Sequence, residues 1–87
     1  MHEASLMNGL LDQVATIAAR EGDGRVAAIN VYIGALAQIS DEHFREHFVE
    51  ATYGTDFEDV ELSIEMGENI DDPHAQDIVL KSVEIEQ

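Results

Sequence analysis

The four histidines of this 87-residue chain are its most chemically capable side chains, and spacing alone places two of them. His43 and His47 are four apart in a segment of helical pattern, so both imidazoles lie on one helix face, an arrangement that can chelate a metal. They flank Phe44 and Phe48 and sit among Asp41, Glu42, Glu46 and Glu50. With no cysteine and no third histidine nearby, two surface imidazoles in an acidic field is the plainer reading of the pair. His74, beside Asp71 and Asp72 in a polar stretch, is a weaker candidate. His2 differs because of its position. The α-amine of Met1, the amide nitrogen of His2 and its ring can close adjacent chelate rings around one ion. A neighbouring amide, such as that of Glu3, completes the plane. Nitrogen donors in a square-planar set suit Ni(II) or Cu(II) rather than tetrahedral Zn(II). The amine titrates near neutrality and the ligand nitrogens must shed protons, so affinity rises with pH.

Other chemistry is poorly provided for. The absence of cysteine removes disulfides, thiolate nucleophiles and thiolate zinc sites, so zinc is not expected. No serine stands in a His–acid arrangement, and Gly22 and Gly24 do not make a phosphate loop. The residues point to a non-enzyme. Nineteen acids against four Lys plus Arg give a net charge of −15, which excludes the basic face a nucleic-acid binder needs and any polybasic membrane anchor. No apolar stretch reaches the length of a membrane span, and no signal-peptide pattern opens the chain, so the expected location is cytoplasmic. The acid is uneven. Residues 56–87 carry eleven acids and a single base, Lys81. A solvated face, adaptation to high salt and an electrostatic match to a basic partner are the physical readings of such a bias.

Apolar residues make up 45% of the chain, enough for the core of one small domain spanning residues 1–87. Leu6, Met7, Leu10, Leu11, Val14, Ile17 and Ala18 follow the 3.6-residue period of an amphipathic helix over residues 4–19, which Gly22 and Gly24 stop. Residues 26–33 read as a strand with Ala27, Ile29, Val31 and Ile33 on one face and Ala28, Asn30 and Tyr32 on the other. Ser40 is the natural N-cap of a second helix, with Asp41 and Glu42 at its positive end and Ile39 and Phe44 at the staple positions. Phe44, Phe48 and Ala51 give its buried stripe, with Val49 beside it, and it ends near Gly54. Residues 60–66 alternate cleanly, with Val60, Leu62, Ile64 and Met66 facing inward. In the last strand, residues 78–86, Ile78 and Leu80 share one phase and Val83 and Ile85 the other, which predicts a β-bulge near Lys81 and Ser82.

The polar stretch 67–77 reads as an exposed loop closing a hairpin, so the last two strands are expected to pair antiparallel. The expected class is α+β, in the order α-β-α-β-β, with two helices packed on one face of a small three-stranded mixed sheet. An uncovered sheet face or edge offers such a domain a route to a homo-oligomer.

The opening Met1-His2-Glu3-Ala4-Ser5-Leu6 resembles the MHExSL opening of the HypA family, nickel-insertion accessory proteins of [NiFe]-hydrogenases. Further likenesses follow in register. The stretch from Val26 to Ile33-Gly34-Ala35-Leu36 is similar to the family's strand and turn. Phe44 to Phe48 falls on its helix, Thr52-Tyr53-Gly54-Thr55 on its GT turn, and Leu80-Lys81-Ser82-Val83-Glu84-Ile85-Glu86 on its closing strand. The resemblance implies a nickel metallochaperone that binds Ni(II) through the Met1 amine, His2 and the backbone at Glu3; the helical spacing of His43 and His47 leaves that pair as the alternative ligands. It implies a hydrogenase large subunit or its precursor and a HypB-like GTPase as partners, with urease maturation as a second client. The family's zinc domain, with two CxxC pairs, is replaced here by residues 67–77. An alternative function is therefore a HypA-like adaptor or structural subunit of a hydrogenase-type complex, its metal delivery reduced or lost.

Overall fold

The structure, a computed structural model, describes residues 3–22 and 24–86, with the side chains of Glu3 and Ala4 left aside. Helix α1 (Glu3–Glu21) leads into strand β1 (Arg25–Ile33), followed by helix α2 (Asp41–Thr52), strand β2 (Glu61–Met66) and strand β3 (Ile78–Glu86). This is the α+β order read from the sequence. Met7, Leu10 and Val14 of α1, Val26, Ile29, Val31 and Ile33 of β1, and Phe44 and Phe48 of α2 form one buried cluster, so both helices cover the same face of the sheet.

Local chemistry sets the ends of α2. The Ser40 hydroxyl accepts a hydrogen bond from the His43 amide at 3.0 Å, satisfying a donor the first helical turn leaves open. Gly54 takes a φ of 75°, beyond the C-cap at Tyr53. Thr52 is buried, and its hydroxyl donates to the Phe48 carbonyl at 2.8 Å, so its burial leaves no polar atom unpaired. Val49, expected beside the buried stripe, lies in solvent at 63% exposure.

The strand order is β2-β1-β3, with β1 parallel to β2 and antiparallel to β3. The expected β2–β3 hairpin does not form; β1 lies between the two strands. Its residues 26–33 carry no charge, so it can be covered on both edges, whereas β2 and β3 alternate with glutamates that suit an edge. At the β2 edge Arg45 donates from Nε to Asp41 at 2.7 Å and from a terminal nitrogen to the Leu62 carbonyl at 2.9 Å, tying α2 to the strand.

The bulge expected near Lys81 is present: Asn30 pairs with Ser82 and Val31 with Leu80, leaving Lys81 unopposed. This turns Ile78, Leu80, Val83 and Ile85 all toward the core. A second irregularity, not foreseen, falls at Ala27, between the pairs Val26–Ile85 and Ala28–Glu84. It puts Val26 rather than Ala27 in the core, correcting the expected face. Met66, expected inside, is 42% exposed at the end of its edge strand.

Because β2 and β3 occupy opposite edges, residues 67–77 must cross the end of β1. The Gly67 amide donates to Ile33 at 2.7 Å, the Gly34 amide to Asp77 at 2.8 Å, and the Leu36 amide to Ala75 at 2.6 Å. The crossing is not wholly exposed, since Ala75 within it is buried. A β-carbon on Gly34 would land on the backbone carbonyls of His74 and Ala75, so residue 34 must be glycine for want of space.

Candidate metal centre

Connectivity fixes where the two helices begin. Only residues 22–24 separate α1 from β1, so α1 must double back along the strand; α2 joins two parallel strands and must run against both. The helices therefore run in the same direction, and both start at the end of the sheet where β1 finishes. Met7 and Asn8 of α1 share a shallow surface depression with His47, Glu50 and Ala51 of α2. One helical turn back from each side lie Glu3, the first residue of α1, and His43.

The sequence-derived candidates are distributed as follows. Met1 and His2 lie outside the described residues. Glu3 opens α1, so its backbone amide is among those at a helix N-terminus that have no intrahelical acceptor. His43 and His47 are brought together: their Nε2 atoms stand 3.0 Å apart, with ring centroids 4.7 Å apart and planes inclined at 36°. One Nε2 must carry a hydrogen and the other must accept it. Among the described residues, no three His, Asp or Glu side chains gather around one point. Asn8 is an addition that sequence reasoning did not place, whereas Glu50, already read as part of the acidic surroundings of the pair, lines the depression with His47.

His74 is taken up by its own loop. Its amide donates to the Asp72 carboxylate at 2.7 Å, and its Nδ1 lies 3.0 Å from Asp77 Oδ2. The uncovered sheet face carries a different polar group. Asn30 donates to the Ser82 hydroxyl at 2.6 Å and to Glu84 at 3.2 Å, while Lys81 Nζ lies 6.0 Å from the centre of the Tyr32 ring. Tyr32 packs against Gly67, where a β-carbon would collide with its hydroxyl. Desolvation, then the charges of Asp72 and Glu65 and a hydrogen bond to Asp72, raise its phenol above the usual 10.0.

The structure is a small two-layer domain with its histidine pair in the first turns of α2. Comparison with known proteins defines it further. Residues 1–70 match the family described as hydrogenase/urease nickel incorporation, metallochaperone, HypA, and the chain belongs to that family. It is also similar to the hydrogenase maturation factor HypA of Chlorobium limicola, with 42% identity over 65 residues. That alignment covers 75% of this chain and 56% of the relative, so the chain spans little more than half its relative's length. Among the described residues, no helix is long and apolar enough to cross a membrane.

Proposed function

We propose that this chain is a nickel carrier that binds Ni(II) at its amino terminus and assists the maturation of a [NiFe]-hydrogenase, acting as a carrier and not a catalyst. The supporting observation is the family match, which runs from residue 1 and so includes Met1, His2 and Glu3. The Met1 amine, the His2 imidazole and the backbone amides at His2 and Glu3 supply four nitrogens for a planar d⁸ ion. A net charge of −15 concentrates cations around the chain before any ligand engages. The hydrogenase large-subunit precursor is the receiving partner, with a HypB-like GTPase assisting.

The test is calorimetric titration of Ni(II) into the chain with its native start, beside His2→Ala and a form carrying one extra amino-terminal residue. The expected result is about one equivalent bound by the native form as low-spin, diamagnetic Ni(II), the spin state that deprotonated amide ligands impose, and its loss in both altered forms. Retention of that diamagnetic species in His2→Ala would overturn the reading, and its absence in the native form would leave the adaptor role as the better account.

A further inference from the structure

The geometry points to a metal site that does not need His2: His43 and His47 hold a divalent ion of the Ni(II) or Cu(II) class through their Nε2 atoms, in neighbouring coordination positions.

The spacing of the two nitrogens carries the argument. Metal–imidazole bonds run about 2.0–2.1 Å. Two such bonds to nitrogens 3.0 Å apart enclose an angle of roughly 91–97° at the metal. A tetrahedral ion would need its nitrogens about 3.3–3.4 Å apart with the same bond lengths. The pair thus stands at a separation that one ion can bridge through adjacent positions, and a right-angled ion of the Cu(II) or Ni(II) kind fits it with the least turning of the rings. In the metal-free chain one ring donates its Nε2 hydrogen to the other; on binding, that ring takes the tautomer with its hydrogen on Nδ1, and the ion sits to one side of the line between the two nitrogens.

The helix holds this separation firmly. Phe44 and Phe48, each one residue beyond a histidine, are buried at 2% and 4% exposure and fix the rotation of α2. Ser40 caps the first turn through the amide of His43 itself. Both rings therefore project from a backbone that need not move when a metal arrives, so little ordering cost falls on binding. His43 is exposed and His47 half-buried, so an ion can reach the pair from solvent. Glu50 lines the depression beside His47, and Glu42 and Glu46 lie on the same helix, so the local field favours a cation. The acids also mean that the ion, not an anion or a neutral ligand, is the expected occupant.

The test uses the full chain carrying His2→Ala, so that it is independent of the amino-terminal reading. Copper(II) sulfate is added in small fractions of an equivalent while the histidine ring signals are followed by NMR, and Ni(II) affinity is measured by calorimetry. Paramagnetic broadening should strike His43 and His47 together, before His74. Adding either His43→Ala or His47→Ala should weaken Ni(II) binding at least about tenfold, because each ring presents the other at a high effective concentration. Circular dichroism of these variants confirms that α2 persists. Equal broadening of His74, or a change in affinity under about twofold on losing either ring, would overturn the assignment.

Discussion

Replacing Gly34 with alanine should destabilise this domain far more than one added methyl group suggests. The β-carbon would land on the carbonyl oxygens of Ala75 and His74 and on the Ala75 carbonyl carbon. All three belong to backbone, so no rotamer change relieves the collision; the crossing segment itself must lift. Lifting it breaks the bonds from the Gly34 amide to Asp77 and from the Leu36 amide to Ala75, each with a net value of about 1 kcal/mol. It also exposes Ala75, whose methyl contributes about 0.8 kcal/mol while buried. The total is about 3 kcal/mol, which for a domain of this size lowers the melting temperature by roughly 12–24 °C. Thermal and urea unfolding followed by circular dichroism measure it, with Gly9→Ala as the control. Gly9 lies in α1 with nothing within 4 Å of its missing β-carbon, and there the same change should stabilise by up to about 0.8 kcal/mol. A Gly34→Ala midpoint within about 3 °C of the parent, with slow exchange of the residue 34 and 36 amides, would refute the account of the crossing.

Two further outcomes follow from single contacts. Ser40→Ala should cost about 1 kcal/mol, read as a lower urea midpoint at unchanged slope, since the His43 amide loses its acceptor. Asp72→Asn should bring the Tyr32 titration back toward the ordinary phenol value, seen by ultraviolet absorbance against the exposed Tyr53. In the parent, the folded phenol is raised, so the native state keeps its proton longer than the unfolded chain. Its contribution to stability is then complete below pH 10.0 and is lost as pH rises through the folded value. Constant stability across that alkaline range would contradict it.

What the sequence made legible was whatever depends on neighbours along the chain. The cap at Ser40 and the phase break between Leu80 and Val83 are local facts, and the second could be satisfied only by an extra residue in β3. Strand order was harder, because a hairpin is the default between consecutive strands and the competing signal is compositional: the uncharged run 26–33 marks the central strand. The bulge at Ala27 gave no warning, since the Ala27-Ala28 doublet fits either face. The same division holds at the candidate metal centre. The His43–His47 pair follows from helical spacing, but the approach of Asn8 to His47 depends on how two helices pack, which spacing along the chain does not encode.

The crossing of residues 67–77 joins strands on opposite edges of the sheet with chain to spare. It need only bridge two inter-strand spacings, about 10 Å, and its residues fully extended would reach more than about 30 Å. Its slack is taken up by local turns, with the Asp71 amide donating to the Asn69 side chain at 2.9 Å and the His74 amide to that of Asp72. Both exits are pinned to the end of β1, through Ile33 on one side and Gly34 on the other, so the register of either edge strand does not depend on what lies between. The family match stops at residue 70, inside this segment. Leu6 and Gln13 of α1 share a depression with His74, Gln76 and Asp77, which places the crossing beside the starting end of the helices. A change in its length should therefore leave the strand pairing intact and alter the walls around the starting end of the helices.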